Sequence, residues 1–187
     1  MVCCIISDLE RYMRKFNDIV NQMSNQMLYR SNIGDVSIDF CEYMIPCCRG
    51  VINLCQNVLQ YTENDNLQEF CNNMIETQNG NINQLQEIND STYGFVNTVN
   101  DINTYVSQYI FICRNMLCRM RNNKRKCVNL TFIFQMISCQ NGISCMCENC
   151  LQCIIDPRLR TLCENMIRQS NDGIADLRQI CCRILNN

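Results

Sequence analysis

The sequence predicts an all-α chain of six helices, built as two copies of a three-helix unit. Three observations predict it. Apolar residues recur at three- and four-residue steps through most of the 187 residues, the stripe of amphipathic helices. Only 6 Gly and 2 Pro interrupt them. The second half repeats the first at an offset of about 92 residues, which places an internal duplication ahead of every other reading.

Ile5, Leu9, Tyr12, Phe16, Ile19, Val20, Met23 and Met27 form the first stripe, and the first helix is expected over 4–29. Ser31-Asn32-Ile33-Gly34-Asp35 is turn chemistry. Phe40, Met44, Cys48, Val51, Cys55 and Val58 then mark a second helix over 37–61. The polar run Thr62-Glu63-Asn64-Asp65-Asn66 offers a cap, and Leu67, Cys71, Met74, Ile75, Gln78, Ile82 and Leu85 make a third helix. A break near 90–97, containing Gly94, ends the first unit.

The leading helix returns at an offset of 93, with Tyr105, Tyr109, Met116 and Met120 on Tyr12, Phe16, Met23 and Met27. A basic turn from Arg121 to Lys126 follows. Cys139 then falls on Cys47, Cys147 on Cys55, Leu159 on Leu67, Cys163 on Cys71, Met166 on Met74 and Leu177 on Leu85. The expected division is 1–92 and 93–187, packed as one domain.

Composition narrows the chemistry. A formal charge of −2 gives no electrostatic support for nucleic-acid binding. The absence of His removes Ser-His-Asp and Cys-His nucleophilic pairs, His-ligated zinc and Glu-x-x-His di-iron sites, and no residue set for turnover is visible, so an enzyme is not expected. Charge arrives at Asp8, too early for a signal-peptide apolar region. No stretch approaches the roughly 20 apolar residues of a membrane span. A cytoplasmic chain with reduced thiols is expected, with a spore or surface layer as the oxidising alternative.

The unusual numbers are 18 Cys and 11 Met. Disulfide scaffolds compensate for small cores and are rich in loops, which this periodic chain is not. The repeated segment Met44-Ile45-Pro46-Cys47-Cys48-Arg49-Gly50-Val51-Ile52, with Phe40 ahead and Gln78-x3-Ile82 behind, resembles the bacterial family known as domain of unknown function 305 (DUF305), whose signature reads Met-Ile-Pro-His-His-x-Gly-Ala-Ile. Both histidines are cysteines here. In the second copy Cys139 and Gln140 stand at the paired positions. The resemblance covers 37–88 and 129–180, leaving an extra helix ahead of each. It implies a ferritin-like four-helix bundle with paired ligands facing inward, and copper binding as in some relatives.

Exchange of imidazole for thiolate favours soft ions. At about 100° per residue, Cys41, Met44, Cys48 and Cys55 share one face of the second helix with Cys47 beside it. Cys139, Met146, Cys150 and Cys153 do the same in the second copy, with Cys147 beside them. These ten residues are the candidate metal ligands, and pairs such as Cys48 with Cys55, or Cys47 with Cys139 across the bundle, would each hold one ion. Cys71, Met74, Cys113, Met116, Met120, Cys163 and Met166 would add sulfur from neighbouring helices.

The run Cys145-x-Cys147-x2-Cys150-x2-Cys153 suggests zinc, but on a continuous helix that spacing spreads the thiols around the axis. The expected function is binding or sequestration of Cu(I), with Zn(II) second and a homo-oligomer as one arrangement. The alternative is a structural or interaction protein in which inward cysteines act as small hydrophobes and Cys3, Cys4, Cys181 and Cys182 cross-link to partners.

Overall fold

The computed structural model describes residues 6–28, 34–91, 94–95 and 97–186, so Cys3, Cys4 and residues 31–33 of the first turn lie outside the described residues. Six helices account for nearly all of them: α1 (Ile6–Leu28), α2 (Val36–Leu59), α3 (Asp65–Ser91), α4 (Val99–Asn122), α5 (Val128–Cys150) and α6 (Pro157–Asn186). The chain is all-α, as the periodicity predicts.

Four of the starts have a local cause in a capping side chain. Asp35 accepts the Ser37 N–H at 2.8 Å, and the Asn64 side chain accepts the Leu67 N–H at 3.0 Å, so two otherwise orphaned amides are met by short polar side chains. Thr98 and Asp101 form a reciprocal capping box on α4. Asp156 accepts the Arg158 N–H at 2.8 Å, and Pro157 takes the first helical position, where its missing N–H costs nothing. Gly34, at φ 88°, ends the first interhelical turn in the left-handed region.

Helices α2, α3, α6 and α5 close a ring in which each packs against two neighbours. This is the four-helix core, because four apolar stripes turned to one centre bury more surface than any pair can. Helix α1 lies on α2 and α4 lies on α5, and α1 also touches α4 and α5. Equivalent residues make equivalent contacts. Asn57 Nδ2 donates to the Tyr12 carbonyl at 3.1 Å and Asn149 Nδ2 to the Tyr105 carbonyl at 3.1 Å. Met23 of α1 sits over Gly50 of α2 as Met116 of α4 sits over Gly142 of α5.

Contacts between the halves are polar as well as apolar. Tyr43 of α2 stacks on Tyr109 of α4 with ring centroids 4.6 Å apart, and the Tyr12 hydroxyl donates to Gln135 Oε1 of α5 at 2.7 Å. Both Tyr12 and Gln135 are buried. Tyr12→Phe is therefore expected to destabilise by about 1–3 kcal/mol, because the Gln135 oxygen keeps its desolvation and loses its donor. Urea melts of the variant check this, and an unchanged midpoint would show that water reaches Gln135.

Candidate thiol site

Nine of the ten candidate ligands are buried. Helix α2 carries Cys41, Met44, Cys47, Cys48 and Cys55, and α5 carries Cys139, Met146, Cys147 and Cys150, each no more than 1% exposed. Cys153 differs. Helix α5 ends at Cys150, and Cys153 lies half-buried in the turn beyond it. The expected continuous helix through 153 is thus corrected: Pro157 begins α6, and the six residues between the two helices have to reverse the chain.

The ten residues do not converge on one point. Six of them fall into three groups, each joining different helices, while Cys41, Met44, Met146 and Cys153 enter none of the three. At the centre the Cys47 thiol of α2 donates to the Cys139 sulfur of α5, with Cys48 and Cys113 close enough to sense charge on Cys139. Cys55 of α2 bonds to Cys71 of α3. Cys147 and Cys150 of α5 both bond to Cys163 of α6. The second and third groups occupy equivalent places in the two repeats, and in the first a residue meets its own repeat counterpart.

Of the residues expected to pair, Cys47 lies beside Cys139, while Cys48 and Cys55 sit on one helix. Seven residues on one helix return to the same face, but at about 1.5 Å per residue they stand about 10 Å apart along the axis. Cys55 instead finds Cys71 across the α2–α3 contact. Cys71 and Cys163, foreseen as supplementary sulfur, are full members of pairs. Their shared offset of 92 from one another, matched by that of Cys55 and Cys147, was the available signal.

Gln140, at the second position of the signature pair, does something else. Its Nε2 donates to the Met74 and Met136 sulfurs at 3.4 and 3.7 Å, and its Oε1 accepts from the Ser170 hydroxyl at 3.0 Å. A buried amide needs such partners, and this one links α5 to both α3 and α6.

Burial and hydrogen bonds between sulfurs raise several of these thiols. Cys48 is pushed up to about 12, by desolvation first and by Cys139 second. Cys113 also rises to about 12 through desolvation, against the Tyr109 hydroxyl, which favours the thiolate. Cys47, Cys55 and Cys147 rise chiefly because each donates its proton to a neighbouring sulfur, and burial adds to this. Cys163 moves the other way. Its sulfur accepts from Cys147 and Cys150, and Arg160 further favours its negative charge against the cost of burial.

This donor set suits an ion that accepts two sulfurs. No group of three or more Cys, Asp or Glu among the described residues is arranged to hold a metal, whereas a structural zinc needs four donors in a tetrahedron.

Elsewhere on the surface, Cys118, Cys145 and Cys182 are exposed and Cys181 is buried. Of the terminal cross-linking thiols expected within the described residues, only Cys182 is therefore open to a partner. No helix among the described residues is long and apolar enough to cross a membrane.

No curated protein and no solved structure matches the chain. The family model described as "Domain of unknown function (DUF305)" matches residues 10–89, taking in α1, α2 and α3. That span holds the Met44–Ile52 signature segment, and it is over residues 10–89 that the chain is similar to the DUF305 family.

Proposed function

We propose that the chain binds and sequesters Cu(I) through buried thiol pairs, without turnover. The observation that carries this reading is the Cys47–Cys139 contact, two counterpart thiols hydrogen-bonded across the α2–α5 contact in a core that contains no imidazole. Cys55 with Cys71, and Cys163 with Cys147 or Cys150, repeat the arrangement, giving room for one ion at each of three places.

Bound Cu(I) would replace the thiol protons of a pair, leaving one net negative charge between the sulfurs. The chain's own part is to hold the two sulfurs in contact, to exclude water and competing hard ligands, and to release the thiol protons of the pair on loading. Because sulfur hydrogen bonding and burial hold the Cys47 proton tightly, affinity should fall as pH falls, by about tenfold per unit for each proton released.

The test is an anaerobic titration of the reduced chain with Cu(I) against a chromophoric chelator, at pH 6, 7 and 8. Tight binding that weakens on acidification, and loss of one ion per chain in Cys47→Ala/Cys139→Ala, are the expected results. Failure to compete with the chelator at any of these pH values would overturn the proposal.

A further inference from the structure

A groove of about 400 Å³ runs along the contact between α3 and α6. Its apolar floor includes Phe70, Met74 and Ile180, and the two helices approach closely at Gly173, where a Cβ would lie 3.3 Å from Met74 Cε. Glu69 on α3 and Asp172 and Asp176 on α6 line it. None of these three carboxylates has an ion pair or hydrogen bond among the described residues. Arg183, the one cation lining the groove, donates to Asn66 at 2.9 Å.

Gln78 supplies the second observation. It lines the groove and is only 3% exposed. Its Nε2 donates to the Met74 sulfur at 3.5 Å, while its Oε1 is buried without a hydrogen-bond partner. A buried carbonyl left unpaired costs about 1–3 kcal/mol, and a ligand N–H would meet that need. The acids are not arranged to chelate a divalent ion. An occupant for this groove combines positive charge, N–H donors and apolar stretches between them.

We propose that the α3–α6 groove binds a linear aliphatic polyammonium ion, with its ammonium groups against Glu69, Asp172 and Asp176, one N–H on Gln78 Oε1, and its methylenes on Phe70 and Ile180. This site is independent of the thiol pairs. Charge alone would attract any cation, so the buried acceptor is what distinguishes recognition from screening.

The test is isothermal titration of the reduced full-length chain with spermidine in 0.15 M NaCl, with MgCl₂ at matched ionic strength as competitor. Saturable binding of one spermidine per chain, little affected by Mg²⁺, is expected. Gln78→Met, which nearly conserves volume, and Asp172→Asn/Asp176→Asn are each expected to weaken it about tenfold or more, with circular dichroism confirming the fold. The proposal is overturned by absence of saturable binding, by full displacement with Mg²⁺, or by wild-type affinity in both folded variants.

Discussion

Raising the pH of the reduced, metal-free chain is expected to unfold it near pH 10, well before general alkaline damage to a helical bundle. Seven thiols (Cys41, Cys47, Cys48, Cys55, Cys113, Cys147 and Cys150) are raised above the ordinary value of 9.0 in the folded chain. In the unfolded chain all would titrate near that ordinary value. A group whose folded pKa is raised contributes stability that is complete below its unfolded pKa, and that stability is lost as pH climbs toward the folded pKa. For Cys48 and Cys113 the window runs from 9.0 to about 12.

Above pH 9 each such thiol removes about 1 kcal/mol per pH unit, so seven together remove on the order of 10 kcal/mol by pH 10. A domain has only about 5–15 kcal/mol to lose. Cys163, lowered in the folded chain, does not oppose this, because a depressed group contributes its full, constant share above the unfolded pKa. Tyr12, Tyr105 and Tyr109, raised by burial above 10.0, steepen the loss further. Anaerobic urea melts followed by circular dichroism between pH 8 and 10.5 measure the slope, and Cys48→Ala/Cys113→Ala should reduce it by about two protons whatever it does to the baseline. A slope below about two protons in the wild type would mean that the thiols ionise without unfolding the core.

The burial behind that prediction was legible from residue spacing, whereas the pairing of the thiols was legible only in part. Helical period gives the direction of Cys41, Cys47 and Cys55 around α2, and all three are buried as expected. Period gives no height along the axis, which is why Cys48 and Cys55 share a face and still stand about two turns apart. The duplication supplied what period lacked for Cys47 and Cys139, since counterparts near the contact between two related units are brought together by their relation.

Cys153 was misplaced for another reason. Sulfur continued at helical spacing past Cys150, while the stop was written in Asp156-Pro157, where the side chain that accepts the Arg158 N–H stands just ahead of the proline that opens the next helix. The Tyr43–Tyr109 stack and the α3–α6 groove carried no local signal at all, because both arise from how separate helices meet.

Gly50 and Gly142 show most clearly what a motif position conceals until its neighbours are known, and Gly142→Ala is expected to be among the most damaging one-carbon changes available. In an exposed helix interior, Gly→Ala stabilises by about 1 kcal/mol. At Gly142 the added Cβ would lie 2.4 Å from both Cγ and Sδ of Met116 and 2.7 Å from its Cβ. The last of these atoms cannot swing aside, so α4 itself must move off α5. At Gly50 the clash is with Sδ at 2.2 Å and Cγ at 2.3 Å of Met23, and rotation of that side chain can relieve part of it.

Costs of roughly 1–3 kcal/mol at Gly50, and the upper end of that range or beyond at Gly142, follow from overpacking. Gly80, in the interior of α3 with nothing within 4 Å of an added Cβ, is the internal control, and Gly80→Ala should stabilise. Two destabilised variants and one stabilised variant of the same chemical change, read from urea melts, would separate close helix approach from backbone entropy. In a Met116→Ala background Gly142→Ala should lose most of its cost, a coupling of at least about 1 kcal/mol. If Gly142→Ala instead matches Gly80→Ala, α4 does not pack on α5 through this methionine.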